Sequence, residues 1–244
     1  VTEDFGKTWK NRVNGIPEDF PTRVVREDTE RAGLLFAGTE FGMFISLDDG
    51  ATWRRFQRNL PVVPVTDMKI IRGDLALSTR GRSFWIMDDI SALREYQPEA
   101  QQTLRLFTPK DVFGEVQNIH FILPPDLSEP EVIFEFSRNG NLIHSKRESL
   151  TQLPADAWGI RKTEWDMKYY LENGERDFQG PAVAPGIYKI TMSYGNESYE
   201  QEFEFRLNPE LAASGITVED LKEQEGLALN IAKLLITIQQ EISA

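Results

Sequence analysis

Short runs of alternating apolar and polar residues, separated by glycine, proline and aspartate, make up most of this chain. Thr22–Val25, Leu34–Gly38, Gly42–Ser46 and Trp53–Phe56 predict four strands joined by tight turns. A second set follows at Val65–Ile71, Leu75–Thr79 and Arg82–Met87. Further on, Leu104–Phe107, Ile119–Leu123, Glu131–Phe136, Leu142–His144, Arg161–Met167, Pro185–Met192 and Tyr199–Phe205 predict another group. Within it, Arg138-Asn139-Gly140-Asn141 carries the Asn-Gly hairpin signal. The period changes only at the end. Val218, Leu221, Leu227, Ile231, Leu234, Leu235, Ile238 and Ile242 recur at helical spacing after a Thr217–Asp220 capping box. A stripe this broad predicts packing on the preceding strands or on a further helix. A dimerisation or partner contact through 217–243 is the alternative.

One motif occurs twice among the early strands. Thr2-x-Asp4-x-Gly6-x-Thr8-Trp9 and Ser46-x-Asp48-x-Gly50-x-Thr52-Trp53 share Ser/Thr-x-Asp-x-Gly-x-Thr-Trp, with the aspartates 44 positions apart. A fixed period of this size marks a repeat architecture, and four short antiparallel strands per repeat make one propeller blade. A third, degenerate copy places Asp88 on Asp48 at an offset of 40, with Ile90 where Gly50 stood and Leu93 where Trp53 stood. Without its glycine that turn is not expected to keep the same backbone, and it reads as a last blade. In the intact motif Asp48 is expected to accept turn N–H groups, Gly50 to supply positive φ, and the Ser46 and Thr52 hydroxyls to complete the network. Trp53 is expected to fill a gap toward a neighbouring blade. These are structural roles.

Composition narrows the partners. The formal net charge of −12 disfavours nucleic acid and anionic membranes, whose sequence-independent binding rests on Lys and Arg. With no cysteine, disulfides and thiol chemistry are excluded. No apolar run approaches the roughly 18 residues of a membrane span. His120 and His144 are too isolated to suggest a metal, and no cofactor is expected.

Thr2–Trp9 and Ser46–Trp53 resemble the Asp-box, or BNR repeat, of sialidases and sortilin-like propellers. Gly38–Phe44 together with Thr79–Asp89 resembles the end of large bacterial BNR-repeat proteins catalogued as glycosyl hydrolases or Vps10/sortilin-like. Trp165–Tyr169 and Ala184–Tyr188 are similar to the module after such propellers. The expected fold is therefore all-β. Terminal propeller blades occupy 1–97, incomplete at the N-terminus with further blades upstream. An immunoglobulin- or fibronectin-III-like sandwich takes 98–209 and a helical segment 210–244. The resemblance implies an exported protein, extracellular or periplasmic.

In those families the boxes lie opposite the ligand face, which the turns between second and third strands reach. That makes Glu40, Asp67, Arg80 and Arg82 the candidate site, with a salt-bridged rim as the plainer alternative. Arginine suits carboxylate recognition because its planar fork engages both oxygens. A complete sialidase site is not expected, because no tyrosine lies between Val1 and Arg94. The leading expectation is a non-catalytic binding or scaffold protein whose propeller face takes a peptide, protein or glycan. The alternatives are a glycoside hydrolase with most catalytic residues upstream, or a structural segment of a large assembly.

Overall fold

The computed structural model describes residues 1–98, 103–156, 158–173 and 176–243. It is mostly β, in several small antiparallel sheets, and ends in a long helix. It divides into two units, Val1–Arg94 and Glu95–Ala244.

In the first unit, β1 (Thr22–Glu27), β2 (Leu35–Thr39), β3 (Gly42–Ser46) and β4 (Arg54–Arg55) form a meander in sequence order. A second meander follows from β5 (Val65–Ile71), β6 (Asp74–Thr79) and β7 (Phe84–Met87). The two repeat in detail. Each has an irregularity near the start of its first strand, between Thr22 and Val24 and between Val65 and Asp67. Each second strand ends in a threonine whose hydroxyl donates across the turn, Thr39 to the Gly42 carbonyl at 2.9 Å and Thr79 to the Ser83 carbonyl at 2.7 Å. Each turn is tied to a proline before the first strand: Glu40 N–H to Pro21 O at 3.1 Å, and Arg80 N–H to Pro64 O at 3.0 Å. Phe36, Ala37, Phe44 and Ile45 are buried in the first meander, and Val65, Met68, Leu75 and Leu77 in the second. At about 1.5–3 kcal/mol for each large side chain removed from water, these positions hold the unit together.

After Met87 the repeat breaks. Among the described residues no strand corresponding to β4 follows β7, and Ser91–Glu95 forms a short helix, α1, burying Ala92 and Leu93. Asp89 sets it up by accepting the Ser91 N–H at 2.9 Å. Arg94 in this helix binds the buried carboxylate of Asp28 at 2.9 Å, tying the helix to the end of β1.

In the second unit, β8 (Arg105–Leu106), β9 (Gln117–Ile122) and β12 (Arg161–Trp165) make one sheet in the order β12-β9-β8. Another has the order β11-β10-β15-β16, from β10 (Glu131–Arg138), β11 (Asn141–Ser149), β15 (Gly186–Tyr194) and β16 (Glu197–Phe205). Strict alternation puts Val132, Phe134 and Phe136 of β10, and Tyr188, Ile190 and Met192 of β15, in a core shared with Ile119, Phe121 and Trp165 of the other sheet. The Asn-Gly turn forms as expected, with φ of 53° at Asn139 and 78° at Gly140. A hairpin of β13 (Lys168–Asn173) and β14 (Arg176–Ala182) stands between β12 and β15, where no hairpin was expected. His144 is buried and stacked between Phe136 and Tyr170.

The chain ends in α2 (Pro209–Ala213) and the 26-residue α3 (Val218–Ser243), whose capping box forms through Thr217 and Asp220. The expectation that its apolar stripe packs holds only in part. Ala232 and Ile236 are buried, whereas Leu227, Ile231, Leu234, Leu235, Ile238 and Ile242 are exposed.

Candidate functional site

The two Asp-boxes have matching hydrogen-bond networks. Asp48 Oδ1 accepts the Ser46 hydroxyl at 2.8 Å and the Thr52 N–H at 2.8 Å, and Oδ2 accepts the Thr52 hydroxyl at 2.6 Å. Ser46 Oγ in turn accepts the Gly50 N–H at 2.8 Å. Asp4 receives the Thr2 hydroxyl, the Thr8 N–H and the Thr8 hydroxyl at 2.9, 2.8 and 2.7 Å, and Gly6 N–H donates to Thr2 at 2.7 Å. Both turns need two successive left-handed residues, Phe5-Gly6 at 58° and 89° and Asp49-Gly50 at 56° and 77°. The degenerate copy keeps only the first, Asp89 at 61°. A β-branched isoleucine at position 90 does not supply the second, so the box gives way to α1.

These carboxylates are held, not poised. Burial pushes the Asp48 pKa up, but the Thr52 hydroxyl and N–H and the Ser46 hydroxyl outweigh it and set it below the ordinary aspartate value. The Thr8 N–H and hydroxyl lower Asp4 likewise. Trp53 is buried against Ala37, Phe44, Ile16 and Phe20, and its Nε1 donates to Arg12 O at 2.9 Å. Trp9 is exposed.

Glu40 and Arg80 lie on the β2–β3 and β6–β7 turns, at the opposite end of β3 from the Asp48 box in the case of Glu40. Asp67 is on β5, and Arg82 follows Gly81 in the β6–β7 turn. The structure does not join the four to one another. Glu40 is ion-paired with Arg23, and Asp67 with Arg26 at 2.7 Å. Arg80 and Arg82 are exposed, and their guanidinium groups have no hydrogen-bond or ion-pair partner among the described residues. The Arg82 carbonyl accepts the Trp85 Nε1–H at 2.9 Å, and Phe84 beside it is exposed. A cavity of about 150 Å³ in this unit is lined by Met43, Phe56, Leu75, Trp85 and Met87 and by none of the four. What the turn offers chemically is a pair of unneutralised cations beside an aromatic ring.

A polar cluster in the second unit was missed by sequence reasoning. Glu225 of α3 is buried, and its carboxylate binds Arg138 Nη2 at 2.7 Å, the Tyr169 hydroxyl at 3.0 Å and the Ala184 N–H at 3.1 Å. Arg138 also donates to the Tyr188 hydroxyl at 2.7 Å, and Tyr188 donates to Ala184 O. Burial opposes the Arg138 charge, but Glu225 outweighs it and holds the pKa above the ordinary arginine value. Burial, reinforced by the Glu225 charge, pushes Tyr169 up to about 12. The signal was present in the sequence. Glu225 interrupts a helical stripe of small and apolar residues at Leu221, Ala228, Ala232 and Ile236, where a lone carboxylate needs a partner.

No family model matches the chain, and no curated protein matches it. Among solved structures it is similar to the extracellular domain of a hybrid two-component system protein from B. thetaiotaomicron. The match has 10% identity and a TM-score of 0.23, and covers 78% of this chain. It covers 26% of that extracellular-domain chain. A score this low does not make the folds the same. Among the described residues, no helix is long and apolar enough to cross a membrane.

Proposed function

We propose that this chain is a segment of an exported, non-catalytic binding protein related to the BNR/Vps10-type propellers. In this reading the first unit is two terminal blades and the second an immunoglobulin- or fibronectin-III-type spacer. The bulge, threonine and proline tie common to both meanders support the blade reading. For the spacer, β8-β9-β12 correspond to strands A-B-E and β11-β10-β15-β16 to C′-C-F-G. The Tyr188 hydroxyl bonded to the carbonyl four residues upstream matches a tyrosine corner.

The observation that carries the functional reading is the pair of exposed arginines on the β6–β7 turn, without a side-chain partner among the described residues. Such a pair fits a carboxylate-bearing peptide or glycan, because each guanidinium can bind both oxygens of one carboxylate. Catalysis of glycoside cleavage needs a carboxylic acid with a raised pKa. Glu3, Asp4, Asp28 and Asp48 of this unit are held below the ordinary carboxylate value, so none of these four is such an acid. The test is a screen of the chain against acidic and neutral glycans and peptides, with Arg80→Ala/Arg82→Ala alongside. Retention of acidic ligands by the parent and not the variant is expected. Turnover of an aryl glycoside abolished by the substitutions would replace this reading with the hydrolase one.

A further inference from the structure

The C-terminal helix has two apolar faces, and only one is covered. Leu221, Glu225, Ala228, Ala232 and Ile236 face the strands of their own unit, with Glu225 fixed by Arg138 and Tyr169. Leu227, Ile231, Leu234 and Ile238 form a second stripe, centred about 130° away at 100° per residue. They are 60%, 60%, 61% and 41% exposed, and Leu235 and Ile242 beside them 46% and 80%.

We propose that this stripe pairs two copies of the chain as a parallel two-stranded coiled coil. The 4-3-4 spacing is that of a heptad seam, with Leu227 and Leu234 at d and Ile231 and Ile238 at a. β-Branched residues at a with leucine at d select two parallel strands over three or four. Charge favours a second copy over a different partner. Between Gly226 and Gln240 the only charged residue is Lys233, which lies away from the seam. The flanking positions Ala228, Leu235, Asn230 and Thr237 are uncharged. Over these two heptads, two chains of formal charge −12 can meet without direct repulsion and a charged partner gains no ion pair; the next d position is Glu241, where the seam ends.

The area is sufficient but small. Covering the four seam side chains and the flanking Leu235 removes roughly 500 Å² per copy, about 1,000 Å² for the pair, the floor for a biological interface. Two heptads alone do not hold an isolated helix pair together. Here α3 is already ordered by its own unit, so pairing does not bear the cost of forming the helix. The proposed dimer is a weak one, of about micromolar affinity.

Sedimentation velocity of the whole chain from about 1 to 300 µM tests this, a range spanning micromolar affinity. The expected result is monomer at the low end and dimer at the high end. Ile231→Lys/Leu234→Lys, with an unchanged circular dichroism spectrum, is expected to stay monomeric. The chain contains no cysteine, so Leu227→Cys introduces a single thiol, which is expected to cross-link to its counterpart on oxidation. Lys233→Cys, on another face, is expected not to. A parent that is monomeric throughout overturns the proposal and leaves the face to another chain or segment. Trimers or larger species overturn it, as does a dimer that survives the lysine substitutions. Failure of Leu227→Cys to cross-link in a dimer that does form overturns the parallel pairing.

Discussion

The Asp-box aspartates work by accepting hydrogen bonds, and the pH dependence follows from that. Asp48 and Asp28 both have folded-state pKa values below the ordinary carboxylate value, Asp28 because Arg94 and the N–H groups of Arg31 and Glu30 outweigh its burial. A depressed carboxylate contributes stability that is fully present above its unfolded pKa, about 3.9, and is lost as pH falls through the folded value. The melting temperature of the first unit is therefore expected to fall as pH drops below about 4, with a shallower fall in Asp48→Asn. Equal slopes in parent and variant would contradict this role for Asp48. Backbone fit matters as much as charge. Gly15 has φ +100°, and a Cβ there would lie 2.0 Å from the Trp53 carbonyl oxygen, which cannot swing away. Gly15→Ala is expected to destabilise the first unit by about 2 kcal/mol or more, read by urea unfolding followed through tryptophan fluorescence.

Secondary-structure elements were legible where a period and a turn signal agreed. The strands β1–β7 follow alternation bounded by Gly, Pro and Asp, and the Asn139-Gly140 hairpin has a turn of the expected sign of φ. Three features were not legible. Ile90-Ser91-Ala92-Leu93 occupies the turn positions Gly50–Trp53 of the repeat yet leads into a helix, because losing the second left-handed residue removes the box and Asp89 caps α1. The β13–β14 hairpin lies in a charged stretch without apolar alternation. For α3, periodicity reveals apolar stripes but not which one is covered, and a buried ion pair made that choice. Breaking that pair from one side leaves an uncompensated buried charge, a cost of about 3 kcal/mol or more. Glu225→Ala is accordingly expected to loosen α3, seen as faster amide hydrogen exchange along Leu221–Ile236. Arg138→Met/Glu225→Leu is expected to restore part of the protection, since neither charge is then left alone. Unchanged exchange in Glu225→Ala would show that apolar contacts alone hold the helix.

At the scale of the whole molecule, the site was the least legible part. Chain position placed Glu40, Asp67, Arg80 and Arg82 on repeat-equivalent turns and strands, but pairing is a matter of three-dimensional neighbours. Arg23 and Arg26 neutralise the two acids and leave the two turn arginines as the available charges. In a chain of formal charge −12 this is a local positive feature on an acidic protein, so ligand binding is expected to weaken as salt is raised. The most direct test takes an acidic ligand from the screen and measures, in the same solutions, its equilibrium affinity and any product released. At least a tenfold weaker affinity is expected for Arg80→Ala/Arg82→Ala, about 1.4 kcal/mol, with no product from either protein. Equal affinities in parent and variant, or product formed by the parent, would contradict it.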